Sequence, residues 1–125
     1  MYLLTRDRSK PFIGKTTLYR LPNTEGEYEA ELLSEFFTDP NIKKGQITAA
    51  DLSPNGSTLA MISNETLWLF QNISGENFFD GEFLKLDLPI KLDMEGVVFQ
   101  DDRTLYLCNE EKSGEPGILY RIILY

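Results

Sequence analysis

The chain has 125 residues and a net charge of −8, with 20 Asp or Glu, 12 Lys or Arg, no histidine and one cysteine, Cys108. Scattered basic residues in an acidic chain argue against a nucleic-acid partner, because that affinity depends on clustered Lys and Arg. The lack of histidine excludes Ser-His-Asp and Cys-His catalysis and His-based zinc sites, and a lone cysteine excludes an intrachain disulfide.

Short runs rich in Leu, Ile, Val, Tyr, Phe and Thr alternate with Gly, Pro, Asn, Asp and Ser, which predicts a succession of β-strands. Helical spacing is weak apart from an ambiguous patch at Ala30–Phe37. No apolar run approaches the ~20 residues of a membrane-spanning helix, so no membrane insertion is predicted. Strands are predicted near Tyr2–Arg6, Thr17–Leu21, Glu29–Phe36, Thr48–Ser53, Thr58–Ser63, Thr66–Gln71, Phe83–Leu88, Gly96–Gln100, Thr104–Asn109 and Ile118–Leu124.

Two blocks of the sequence correspond position by position. AADLSPNGSTLAMIS (Ala49–Ser63) overlays EGVVFQDDRTLYLCN (Glu95–Asn109) at a constant offset of 46 positions. A third apolar run follows each block, at Leu67–Phe70 and at Leu119–Ile122. The beginning of the chain joins this pattern without its first strand, because MYLLTRD and TTLYRLP match the later TLYLCNE and GILYRII.

A period of about 40 to 50 residues with four short strands in each unit is typical of β-propeller blades. The predicted fold class is therefore all-β, a β-propeller-like repeat of four-stranded antiparallel blades in a single domain, 1–125. The units are about 1–45, 46–89 and 90–125, of which the first lacks its first strand and the third its last. Three blades are fewer than the usual four to eight, so we expect either a part of a longer propeller or self-association that completes a ring.

The segments LLTRDRSKPFIGKTTLYRLP, ITAADLSPNGSTLAMIS and DMEGVVFQDDRTLYLCNE resemble consecutive pieces of bacterial secreted or periplasmic β-propeller proteins of the esterase-like phytase and SdiA-regulated type. The resemblance runs over nearly the whole chain and is most specific at Thr48–Gly56 and Asp93–Gly96. It implies a longer propeller and an extracytoplasmic setting. It implies no particular reaction, because a fold does not fix a function.

The starts of the innermost strands are the predicted place for a ligand, because these strands line the channel of a propeller. Thr48, Asp51, Asp93 and Glu95 occupy such positions. Carboxylates from neighbouring units could supply some of the six to eight oxygens that Ca²⁺ takes, so Asp51, Asp93 and Glu95 are the candidate metal ligands and Ca²⁺ the candidate cofactor. Alternatively, Asp93–Gly96 is ordinary turn sequence, and Asp51 accepts hydrogen bonds from backbone amides.

The function predicted first is a non-catalytic binding or scaffolding module whose small-molecule ligand, if it has one, is unknown. The alternative is a Ca²⁺-dependent hydrolase of phosphoester or lactone type with its site at the channel mouth. Phe78 and Phe79 either mark an exposed interface or pack beneath their own loop. Aromatic packing between units, rather than a sugar or nucleobase platform, is predicted for Tyr19, Trp68, Phe70 and Tyr120.

Overall fold

The computed structural model describes residues 1–89, 93–111, 114 and 116–125, and these residues form ten strands in three antiparallel sheets. The predicted all-β class is confirmed, and each predicted strand is present with ends within two residues of those expected. The ambiguous patch at Ala30–Phe37 is a strand. Among the described residues, no helix is long and apolar enough to cross a membrane.

The first sheet contains the strands β1 (Tyr2–Leu4), β2 (Lys15–Arg20) and β3 (Glu31–Phe37), in that spatial order. Its β2–β3 pairing contains a bulge, where the register shifts between Leu18 and Tyr19. A four-residue helix, α1 (Ile42–Gly45), connects this sheet to the next.

The middle sheet contains four strands in the order β4 (Ala49–Leu52), β5 (Leu59–Ile62), β6 (Thr66–Gln71) and β7 (Glu82–Asp87). A short 3-10 turn at Phe78–Asp80 lies between its last two strands. This is the four-stranded unit that the sequence predicts at about 46–89.

The third sheet contains β8 (Met94–Phe99), β9 (Thr104–Asn109) and β10 (Leu119–Ile123), with β9 in the centre. The predicted third unit begins at residue 90, and its residues 90–92, 112, 113 and 115 lie outside the described part of the chain. The described strands are the first three that the sequence predicts for this unit.

The second and third strands of the three units pair in one common register. The corresponding pairs of facing residues are Leu3–Tyr19, Met61–Trp68 and Leu107–Tyr120. The repeated Leu-Tyr-Arg runs therefore occupy equivalent places in the first and third sheets, as the sequence comparison predicts.

The first strands correspond with an offset different from the predicted one. Leu52 faces Leu59 in the middle sheet, and Phe99 faces Leu105 in the third. Leu59 and Leu105 are 46 positions apart, whereas Leu52 and Phe99 are 47 apart. The constant offset is therefore wrong for these strands, because six residues (53–58) separate the paired residues Leu52 and Leu59, whereas five (100–104) separate Phe99 and Leu105.

The core is organised around the middle sheet, whose two faces are both buried. Leu59 and Met61 belong to an apolar cluster shared with the first sheet, whereas Ala60 and Ile62 belong to a second cluster shared with the third sheet. Strand β6 alternates in the same way. Burial on both faces explains why these strands are continuous apolar runs, since each fully buried large side chain contributes about 1.5–3 kcal/mol.

Candidate functional site

The first strands of the middle and third sheets, β4 and β8, are joined by two side-chain hydrogen bonds. Thr48 Oγ1 donates to the carbonyl oxygen of Met94 at 2.8 Å. Asp51 Oδ2 accepts from the backbone N–H of Phe99, also at 2.8 Å. That N–H lies on the side of β8 that faces away from β9, because Gln100 N bonds Thr104 and antiparallel ladder bonds alternate.

Asp51 therefore has the structural role that the sequence analysis leaves as an alternative. Its carboxylate satisfies a backbone donor of the neighbouring sheet that the β8–β9 ladder does not use. A charge-assisted bond of this kind is stronger than a bond between neutral groups, so Asp51 helps to fix the spacing between the two sheets.

The other two candidate metal ligands lie at the start of β8. Asp93 Oδ1 accepts a hydrogen bond from Asn64 Nδ2 at 3.0 Å, and Lys43 Nζ is 3.7 Å from the same oxygen. Glu95 is exposed and lies at a bulge, where the register shifts between Met94 and Gly96. Within the described ranges, no three or more His, Cys, Asp or Glu side chains are grouped to hold a metal ion. The metal site at Asp51, Asp93 and Glu95 remains a prediction.

Gly96 has a specific packing role in the third sheet. A Cβ atom at this position would be 2.6 Å from Cys108 Sγ on the facing strand. The glycine thus makes room for the thiol, which lies on the exposed face of the sheet.

A groove of about 410 Å³ lies between the first and middle sheets. One wall is the chain from Tyr2 to Arg6, which includes β1, and the other is the chain from Ile47 to Leu52, which includes β4. Leu59 and Phe78 complete the lining. Thr48 and Asp51 therefore contribute to two places. Both form hydrogen bonds to β8, and both line this groove.

The wall formed by β1 is an open sheet edge. Strand β1 pairs with β2 on one side, and none of the described strands pairs with its other side. The ladder includes the bonds from Thr5 N to Thr17 O and from Leu21 N to Met1 O. Because ladder bonds alternate along a strand, the backbone N–H and C=O groups of Tyr2 and Leu4 face the groove.

The side chain of Tyr2 attaches a long loop to this edge. Its hydroxyl donates to Glu76 Oε1 at 3.0 Å, and its ring lies 4.7 Å from that of Phe78, edge to face. Burial, followed by the hydrogen bond to Glu76, raises the pKa of the Tyr2 hydroxyl. Arg20, on the adjacent strand, forms an ion pair with the same glutamate. The loop that contains Phe78 is thereby held against the first sheet at one end of the groove.

The conspicuous aromatic residues mainly build the core. Trp68 and Phe70 are buried between the first and middle sheets, where they meet Phe36 edge to face. Phe78 is buried and Phe79 is partly buried in the same cluster, so packing beneath the loop is the observed alternative. The prediction of packing between units is confirmed for Trp68 and Phe70.

The chain matches no protein-family model, and searches of curated proteins and of solved structures find no match either. The resemblance to secreted β-propeller proteins therefore stays an interpretation of the sequence. Sequence patterning does not identify the groove as a site. Its signal in the sequence is that β1, β2 and β3 correspond to the second, third and fourth strands of the middle sheet, so that no described strand of the first sheet corresponds to β4.

Proposed function

We propose that the chain is a non-catalytic scaffolding module whose three sheets are consecutive blades of a β-propeller. It acts by packing units of its own kind against its two end faces. The observation that carries this proposal is a comparison of equivalent residues in the three sheets, which share one strand register. The middle sheet has a neighbouring sheet packed on each of its two faces. Among the described residues, the outer faces of the first and third sheets lack such a neighbour.

One end of the stack is the outer face of the third sheet. The residues at one equivalent position of the three sheets are Leu18, Leu67 and Leu119, which face Leu4, Ile62 and Cys108. The first two are 0% exposed, whereas Leu119 is 66% exposed. Leu18 packs towards the middle sheet and Leu67 towards the third. The same position in the third sheet therefore presents an apolar contact surface to solvent.

The other end is the outer face of the first sheet. Here the buried equivalents lie in the middle and third sheets, and the exposed residue lies in the first sheet. Met61 and Leu107 are 0% and 1% exposed, and each packs against the preceding sheet in the chain. Their equivalent, Leu3, is 44% exposed. Two neighbouring sheets pack against each other twice within the chain, and each contact joins two different kinds of face. The two outer faces are one face of each kind.

Two unlike faces associate head to tail, and such a contact produces a ring when the rotation closes. Exposed apolar faces of this kind mark interaction surfaces in soluble proteins. The covering unit is a second copy or a further blade of a longer chain. The resemblance of the sequence to secreted and periplasmic propellers supports this proposal and favours a setting outside the cytoplasm.

Analytical ultracentrifugation over a series of protein concentrations tests the proposal. We expect concentration-dependent association of the native chain. We expect the Leu119→Glu and Leu3→Glu chains each to be monomeric when tested alone, because every head-to-tail contact then lacks one of its two faces, and the Ile42→Glu chain to associate as the native chain does. Ile42 is an equally exposed apolar residue on α1, outside both sheet faces, and is therefore the matched control.

Mixing the two end-face variants distinguishes a head-to-tail contact from a symmetric one. The Leu119→Glu chain retains its first-sheet face and the Leu3→Glu chain its third-sheet face, so a mixture has one intact interface. We expect a one-to-one heterodimer. A native chain that is monomeric at every concentration would refute association with a second copy, and variants that associate as the native chain does would refute the role of the two end faces.

A further inference from the structure

The groove between β1 and β4 has the position and the hydrogen-bonding groups of a missing strand. In the middle sheet, β5 lies between β4 and β6. Its equivalent in the first sheet, β1, has a neighbour only on the side of β2 among the described strands. The groove runs along the opposite side, where the middle sheet has β4.

The backbone groups on the β1 wall match those that β5 uses to bind β4. The register and the bond from Ser53 N to Thr58 O make Ala49 and Asp51 the β4 residues whose backbone faces β5. Their partners are Ile62 and Ala60. The equivalents of these partners on β1 are Leu4 and Tyr2, whose N–H and C=O groups face the groove.

The β4 wall offers a second recognition element. By the same alternation, the N–H of Leu52 points away from β5. Leu52 lines the groove and is the equivalent of Phe99, whose N–H donates to the Asp51 carboxylate at 2.8 Å. A strand placed in the groove would bring an acidic side chain to Leu52 just as β4 brings Asp51 to Phe99.

We propose that this groove is a peptide-binding site, which takes an extended segment of a partner protein antiparallel to β1. Strand addition of this kind obtains affinity from main-chain hydrogen bonds and specificity from alternate side chains. The segment that fits has small residues before an aspartate and an apolar residue after it, as in Thr48–Leu52, because β4 occupies the corresponding space against the third sheet. The aspartate accepts from Leu52 N, and Tyr2 and Leu4 form the ladder.

Fluorescence anisotropy with a labelled peptide of sequence Ile-Thr-Ala-Ala-Asp-Leu-Ser, which copies residues 47–53, tests the proposal. The protein used is the Leu119→Glu variant, so that association through the end faces does not obscure binding. We expect saturable binding. Replacing the peptide's aspartate by alanine should weaken binding about tenfold, since a hydrogen bond to a charged group contributes about that factor.

N-methylation of single peptide bonds tests the strand geometry without altering the protein. A methyl group on the aspartate nitrogen blocks a bond to β1, and we expect at least about a tenfold loss of affinity. The same methyl group on the second alanine faces away from β1 and is the matched control, for which we expect no loss. Equal losses from the two methylations, or no saturable binding, would overturn the proposal.

A protein variant gives an independent readout. Leu4→Pro removes the N–H that faces the groove, and proline is tolerated on the open side of an edge strand. We expect this variant to retain the native circular dichroism spectrum and to bind the peptide at least about tenfold more weakly. Native affinity in a folded Leu4→Pro chain would contradict the assignment of this edge. Failure of the end-face experiments would leave these results unaffected, because peptide binding uses the backbone groups on the open edge of β1, whereas association uses side chains on the outer sheet faces.

Discussion

Replacing Asp51 tests whether the contact between β4 and β8 depends on one carboxylate. Asp51→Ala leaves the backbone N–H of Phe99 without the acceptor that now lies 2.8 Å away, in a part-buried position. Leaving such a donor unsatisfied costs about 1–3 kcal/mol. Asp51→Asn keeps an acceptor oxygen but removes the charge, so we expect about half of that loss.

Urea denaturation followed by circular dichroism measures these differences as changes in the free energy of unfolding. A matched control is Asp102→Ala, since Asp102 Oδ1 accepts from Asn55 N at 2.9 Å and also joins the middle and third sheets. This second bond is exposed, so water replaces the lost acceptor and we expect a cost under about 0.5 kcal/mol.

An Asp51→Ala chain that is no less stable than the Asp102→Ala chain would refute this role of Asp51. A second contrary result would be a melting temperature of the native chain that millimolar Ca²⁺ raises and EDTA restores, with Asp51→Asn or Glu95→Gln abolishing the effect. That second result would instead support the predicted metal site.

Three further changes test the packing and the electrostatics of the sheets. Leu107→Ala should cost about 2–5 kcal/mol in urea denaturation, and the equivalent exposed change Leu3→Ala less than about 1 kcal/mol; equal losses would contradict the assignment of buried and open faces. Gly96→Ala should destabilise the chain by about 1–3 kcal/mol through its clash with Cys108 Sγ, and combining it with Cys108→Ala should recover most of that loss in a double-mutant cycle; additive losses would refute the clash. Hydrogen bonds, above all from the Ser9 hydroxyl, hold the pKa of Asp7 well below its usual range. Its stabilisation is therefore complete above the unfolded-state pKa of about 3.9 and is lost as the pH falls towards the lower folded-state pKa, so the difference in melting temperature between the native chain and Asp7→Asn should shrink in acid; a constant difference would refute it.

The strands and their pairing could be predicted because local sequence determines them strongly. Leu18-Tyr19-Arg20 and Leu119-Tyr120-Arg121 alternate side chains between two faces, and a slip of one residue would exchange those faces. The prediction from these runs agrees with the observed register. In this respect sequence patterning was sufficient.

The offset of the first strands could not be predicted in the same way. Residues typical of turns occur in both connecting segments, and composition does not show that the connection between Leu52 and Leu59 contains one residue more than that between Phe99 and Leu105. The role of Asp51 was ambiguous for a related reason. An acidic residue near the start of a strand can face a channel or a neighbouring backbone donor, and only the packing of β8 against β4 distinguishes the two.

Because the strand pattern repeats, each solvent-exposed position of the outer sheets can be compared with an equivalent position in the middle sheet. Each position in the middle sheet has an equivalent at one or both ends, so the burial of Met61 and Leu67 indicates what Leu3 and Leu119 lack. The pairing of β5 with β4 similarly indicates what β1 lacks at the groove. These two features differ in kind, because an apolar face needs a packed sheet, whereas an open edge needs backbone hydrogen bonds. A partner sheet that also supplied a strand beside β1 would satisfy both the face and the edge, whereas a peptide would satisfy only the edge. The face variants Leu119→Glu and Leu3→Glu and the edge variant Leu4→Pro separate these two cases.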